Sequence, residues 1–133
     1  MADVLLDTHI VVWWSSAPER LTRRQRAILK AKPQSGETVA ISAITLWELA
    51  MLAEKGRIQI PMSIDSWLEE IETDSEIVVL PLTREVALDS VRLGSEFPKD
   101  PADRIIVATA RCNGLSLLTS DERILRSQKV PVI

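Results

Sequence analysis

Four acidic residues lie at the ends of apolar runs, or inside them, where a soluble fold rarely places charge. Asp7 closes Val4-Leu5-Leu6, and Glu48 interrupts the apolar stretch from Ala43 to Leu52. Asp103 precedes Ile105-Ile106-Val107-Ala108, and Asp121 follows Leu117-Leu118-Thr119-Ser120. A buried carboxylate is costly unless a positive charge offsets its lost hydration. Several of them together imply one shared cation, most simply a divalent metal. An all-oxygen donor set suits Mg2+ or Mn2+ and not Zn2+. His9, the only histidine, reads as a structural group or an outer-shell partner of Asp7 and not as a ligand.

The elements that must bring these residues together follow from the alternation of short apolar runs with helical periods, which signals an α/β fold with a mainly parallel sheet. Strands are expected at Val4–Leu6, Val39–Ile41, Ile77–Leu80, Ser116–Thr119 and, last and short, Val130–Val132. A basic amphipathic helix is expected from Thr22 to Ala31, with Lys32 to Gly36 as a loop. Ser42 caps a helix that runs to about Glu54 and stops at Gly56. Ser63 or Asp65 opens a helix through Trp67, Leu68 and Ile71, and Thr83 caps another that ends near Gly94. Asp100-Pro101 combines an Asp N-cap with Pro at the first helical position. In a parallel sheet all strand C-termini share one edge, and ligands bind in the crevice outside it. Asp7 and Asp121 follow strand ends, while Glu48 and Asp103 sit early in helices that begin at that edge. All four should therefore face one cleft.

Each residue also has a bland reading. Asp7 reads equally as a helix cap. Glu48 has Ile44, Thr45, Met51 and Leu52 as its helical neighbours, so no local cation partners it, and a ligand role is favoured. Asp103 could complement a helix dipole, Asp121 could be a turn residue, and Asp100 is read as an N-cap. Thr8, Ser42 and Thr119 stand beside the acids as caps or as groups that hold a carboxylate. Trp13, Trp14, Trp47 and Trp67 are assigned to the core or to a partner groove. With no Tyr and one Phe there is no base-stacking platform. Gly-rich phosphate loops, nucleophile elbows and zinc spacings are absent from the sequence, as is the second acid two residues after Asp7 that an aspartyl-phosphate phosphatase needs.

The 133 residues, 46% hydrophobic and 26% charged, suit one domain (1–133) with a single core. One cysteine, Cys112, cannot form an internal disulfide, which points to a reducing cytoplasm. No apolar stretch approaches the roughly 20 residues of a membrane span, and no basic signal region opens the chain. A net charge of −3 argues against a generic basic nucleic-acid binder, although acids around a metal would not count as free charge. Arg20, Arg23, Arg24, Arg26, Lys30 and Lys32 crowd one segment, either as a solvated helix face or as a phosphate-binding surface.

Taken in order, Leu5-Leu6-Asp7-Thr8-His9, Ser42-Ala43-Ile44-Thr45-Leu46-Trp47-Glu48-Leu49, Asp100-Pro101-Ala102-Asp103-Arg104 and Leu118-Thr119-Ser120-Asp121 resemble the motifs of PIN-domain nucleases. The likeness is greatest to the VapC-type toxins of bacterial toxin–antitoxin pairs. It runs over nearly the whole chain; each motif alone is weak, and the ordered set is specific. The resemblance implies a compact three-layer α/β/α sandwich, Mg2+- or Mn2+-dependent cleavage of RNA, a homodimer, and inhibition by a small antitoxin. Asp7, Glu48, Asp103 and Asp121 match the acidic quartet as catalytic and metal-binding residues, with Asp100 as a possible helper. Arg104 or the early basic cluster would hold the RNA backbone. An antitoxin helix would use a groove formed by Trp13, Trp14, Trp67, Leu68 and Ile71. The competing expectations are a non-catalytic binding module of the same fold and a metal-dependent phosphatase.

Overall fold

Successive side chains of a strand point to opposite faces of a sheet, and in this chain both faces are apolar. The computed structural model describes residues 2–133. It contains four parallel strands: β1 (Val4–Leu6), β2 (Val39–Ser42), β3 (Ile77–Leu80) and β4 (Ser116–Leu118), in the order β3-β2-β1-β4. Val4, Leu6, Val39, Ile41 and Leu118 face one side. There they meet Ile10 and Val11 of α1 (Thr8–Ser16), Leu29 of α2 (Arg23–Gln34), Leu49 of α3 (Ala43–Glu54), and Trp67 and Ile71 of α4 (Ile64–Thr73). Leu5, Ala40 and Leu117 face the other side. They meet Ile106, Val107 and Ala110 of α6 (Pro101–Cys112), Ile124 of α7 (Glu122–Ser127), and Leu93 and Phe97. The remaining helix, α5 (Arg84–Val91), packs along α6. The result is the expected α/β/α sandwich around a parallel sheet. Such sheets are buried on both faces, which is why their strands read as unbroken apolar runs.

The strand order fixes where a site can form. From β1 the chain steps outward to β2 and β3, then returns to place β4 on the opposite side of β1. That reversal opens a crevice at the C-terminal ends of β1 and β4, the switch point at which α/β sheets bind ligands. The Asp7 N–H donates to the Leu118 carbonyl at 3.0 Å. The β1–β4 ladder thus extends one residue beyond the strand and locks Asp7 at that crevice.

Some element boundaries differ from the sequence reading: β2 runs on to Ser42 and β4 stops at Leu118, and three larger differences have a physical reason. Residues Val130–Val132 make a single bridge, Val132 to Leu117, and no strand. Pro131 has no N–H to extend a ladder; only its carbonyl is used, by the Leu117 N–H at 2.8 Å. The helix α2 takes in Lys32, Pro33 and Gln34, because a proline in the last turn forfeits just one intrahelical bond, and Gly36, at φ +79°, ends the segment. The helix α5 stops at Val91, short of Gly94, because the following residues are recruited by Arg104. Among the described residues, no helix is long and apolar enough to cross a membrane.

Candidate active site

The crevice is lined by Asp7, Thr8, His9, Glu48, Asp103 and Asp121, with Trp13 and Arg20 at its rim. The structure therefore brings the four acids singled out in the sequence to one cleft of about 290 Å3.

Asp7, only 3% exposed, divides its two oxygens. Oδ1 accepts the Thr8 N–H at 2.8 Å and caps α1; Oδ2 accepts the Thr119 hydroxyl at 2.7 Å. Thr119 Oγ1 in turn accepts the Asp121 N–H at 3.0 Å. One hydroxyl therefore ties the acid after β1 to the acid after β4. His9 Nε2 accepts the Ser120 N–H at 2.9 Å, which leaves the ring proton on Nδ1, 3.5 Å from Asp7 Oδ2. The lone histidine thus lies against Asp7, with its other nitrogen held by the Ser120 backbone.

Glu48 is presented by α3, whose start is fixed by the Ser42 side chain accepting from Ile44 N–H. Its Oε1 accepts the Thr8 hydroxyl at 2.5 Å, and the Thr8 and Thr45 hydroxyls lie 3.0 Å apart. Burial pushes the Glu48 carboxyl above its usual range; the Thr8 hydrogen bond opposes this, while Asp7 and Asp100 add to it. Asp103 lies in the first turn of α6, its side chain 13% exposed. Burial, then the negative charges of Asp100, Asp7 and Asp121, push its pKa up to about 7 against the pull of Arg123.

Asp121 caps α7 through Oδ1, which accepts the Arg123 N–H at 2.9 Å. Burial pushes its carboxyl upward, but the hydrogen bonds and charge of Arg123 outweigh that and hold it below the usual range. Arg123 Nη2 lies 3.0 Å from Asp121 Oδ2 and 3.3 Å from Asp103 Oδ2. A guanidinium thus supplies the positive charge between these two acids. Among the described residues, no three acidic, histidine or cysteine side chains form a ready-made cage for one ion. The donor chemistry, four carboxylates and no competing sulfur, fits a hard divalent cation; the arrangement is an open one, which Arg123 partly occupies.

Each of the other residues singled out in the sequence has a definite place. Asp100 is a cap: its Oδ1 accepts the Ala102 N–H at 2.9 Å, and its negative charge is the largest of the three that push Asp103 upward. Arg104 is not free to hold a phosphate. Its guanidinium donates to the carbonyls of Pro98 (2.9 Å), Ser90 (3.2 Å), Gly94 (2.8 Å) and Phe97 (3.0 Å), fastening the loop after α5. Of the early basic cluster, Arg20 reaches the cleft, lying 4.8 Å over the Trp13 ring, whereas Lys32 pairs with Asp3 and Glu37. Trp67 and Ile71 belong to the core, and Trp13, Trp14 and Leu68 are partly buried against it. What remains of the expected groove is a shallow depression between α1 and α4 floored by Trp14, Trp67, Ile71 and Ile77 and rimmed by Glu70 and Asp74. The tryptophan left at the surface is Trp47, 58% exposed. Sequence reasoning missed Arg123; a cation two residues after Asp121 was the available signal.

The sequence matches the PIN domain family over residues 4–130. It is 40% identical over 131 residues to Ribonuclease VapC22 of Mycobacterium tuberculosis (strain ATCC 25618 / H37Rv), covering 98% of this chain and 95% of that protein. The structure of DNA-bound VapBC from Salmonella typhimurium is similar with a TM-score of 0.71 and 25% identity, over 100% of this chain and 98% of that one. VapC20 of Mycobacterium tuberculosis, a sarcin-ricin loop cleaving toxin, shares the fold with a TM-score of 0.72 at 16% identity, over 97% and 98% of the two chains.

Proposed function

This chain belongs to the PIN-domain family, and from that premise we propose that it is a metal-dependent endoribonuclease acting as the toxin of a toxin–antitoxin pair. The observation that carries the reading is the convergence of Asp7, Glu48, Asp103 and Asp121 on one cleft at the C-terminal edge of the sheet. Its 40% identity to a VapC ribonuclease over most of both chains supports the choice of RNA as substrate.

In this reading the four acids hold one or two divalent ions, Mg2+ or Mn2+. Bound there, such an ion supplies a water of lowered pKa and neutralises charge that builds on the phosphate oxygens. The chain's own groups do the positioning. Thr8 and Thr119 fix Asp7, Thr8 also holds Glu48, and these hydroxyls are engaged as hydrogen-bond donors rather than poised as nucleophiles. Asp103, whose carboxyl burial and the neighbouring acids push up to about 7, would hold such an ion in its ionised form. Arg20, held over Trp13 at the rim, binds a backbone phosphate without reading sequence. The depression between α1 and α4 receives an apolar face of the antitoxin, in keeping with the toxin–antitoxin complex from Klebsiella pneumoniae among its structural relatives, and the toxin itself forms a homodimer.

The test uses the purified chain, a generic single-stranded RNA and a small phosphate ester. Cleavage of RNA with Mg2+ or Mn2+, abolished by EDTA and by Asp7→Asn, supports the proposal. Hydrolysis of the ester without RNA cleavage would make it a phosphatase, and inertness towards both with either metal would make it a binding module.

A further inference from the structure

A second cavity, of about 420 Å3, opens beside the acidic cleft. One wall is Glu96, Phe97 and Pro98; the other carries Arg123, Arg126 and Lys129. Three cations and one acid share this pocket, in a chain whose net charge is −3. Among the described residues, the side chains of Arg126 and Lys129 form no ion pair, with Glu96 or any other acid. Arg123 is already paired with Asp103 and Asp121, so the charges left for an anion to neutralise are those of Arg126 and Lys129, both exposed.

The pocket is also built rather than incidental. Its far wall is loop, yet the four hydrogen bonds from Arg104 to the Ser90, Gly94, Phe97 and Pro98 carbonyls hold it in place, and Phe97 is buried. Lys129 is anchored through its carbonyl, which accepts from Arg111 Nη1 at 2.8 Å, and through its N–H, which donates to Ser127 Oγ at 3.3 Å. Arg123 joins the two: it lines this pocket, and its guanidinium contacts Asp103 and Asp121, which line the cleft.

We propose that the Arg126–Lys129 pocket is a phosphate-binding subsite for the RNA strand, continuous with the acidic cleft through Arg123. It rests on the ribonuclease reading. The strand's phosphodiester backbone leaves the acids, passes Arg123 and lies against Arg126 and Lys129, on the opposite flank from Arg20. The subsite reads charge and spacing, and contributes affinity rather than base specificity.

The experiment measures binding of a fluorescein-labelled 12-nucleotide single-stranded RNA to the Asp7→Asn protein in Mg2+, by anisotropy from 50 to 200 mM salt. Arg126→Ala/Lys129→Ala is compared with the parent and with Arg84→Ala, which removes the same kind of charge at the start of α5. Each phosphate contact to a single strand adds about 0.7 to the slope of log affinity against log salt. Loss of two contacts lowers the slope by about 1.4, so the fourfold rise in salt weakens the parent about sevenfold more than the double variant. In the cleavage-competent chain the same double substitution raises KM more than it lowers kcat. An unchanged slope and affinity while the wild type still cleaves RNA would overturn the subsite and leave the ribonuclease reading standing. A wild type that neither cleaves nor binds the RNA would overturn both.

Discussion

Replacing Asp103 by Asn should stabilise the metal-free protein, by an amount set by pH. An acid whose pKa is near 3.8 when unfolded and about 7 when folded binds more protons in the folded state. Folding therefore loses stability as pH climbs through that interval and bears the full penalty above it. About 3 pKa units at 1.4 kcal/mol each gives roughly 4 kcal/mol. Asp103 borders an open cleft, so solvent screening reduces this to roughly 2 kcal/mol; the pull of Arg123 is already contained in the folded value. Asparagine, nearly isosteric and neutral, escapes the penalty. In EDTA at pH 8 the variant should melt about 3–8 °C above wild type, and the gap should narrow as pH falls and close below the unfolded value of 3.8, where Asp103 is protonated in both states. Calorimetric melts at half-unit pH steps measure this directly. Saturating Mg2+, at about 100 times its dissociation constant, should add roughly 2.7 kcal/mol to the wild type and distinctly less to the variant. A gap that stays constant with pH, or a variant less stable at pH 8, would refute the argument that these acids are crowded.

Three further outcomes are expected. Asp7→Asn and Glu48→Gln should each lower metal-dependent RNA cleavage by more than about 100-fold, beyond the range typical of outer-shell groups, with circular dichroism unchanged; Asp121→Asn should cost only about tenfold, since water can replace a peripheral ligand. Thr119→Val removes the donor to Asp7 Oδ2 and the acceptor of the Asp121 N–H, and should cost about 1–3 kcal/mol in urea unfolding together with roughly 10- to 100-fold in cleavage. Arg104→Ala strips four backbone carbonyls, three of them in the loop, of their donor and should cost about 3 kcal/mol or more; hydrogen exchange over Arg92–Lys99 should speed up, and retained protection there would show that the loop does not depend on Arg104.

The sheet was legible because its strands are apolar on both faces and end in polar residues with defined jobs. Asp7, Ser42, Asp100 and Asp121 each follow a strand or precede a helix, and each is a cap in the structure. Treating cap and cleft residue as rival readings was the weak step for Asp7 and Asp121. A carboxylate has two oxygens, and in both residues one oxygen caps while the other faces a neighbour in the cleft. What the sequence hid was the company kept by long cations. Arg104 and Arg123 are both near acids in the chain, yet Arg104 turns to backbone carbonyls and Arg123 spans acids 20 and 2 residues away. Spacing cannot separate those fates, because both depend on which loop packs within reach. Trp47 escaped for a related reason: α3 is apolar nearly all round, so no periodicity told which face would be left in water.

The shared use of these carboxylates bears on how such a chain can change over generations. A helix cap at residues 7 and 121 can be served by Asn, Ser or Thr about as well as by Asp, whereas a hard cation needs the full charge. In the role proposed for them, catalysis would decay at these positions by single conservative replacements that leave the scaffold intact, while drift to an aliphatic side chain would unfasten α1 or α7 along with the chemistry. Silent descendants of this fold should accumulate amides and hydroxyls at those two points, keeping the architecture as a surface for partners long after the acids have gone.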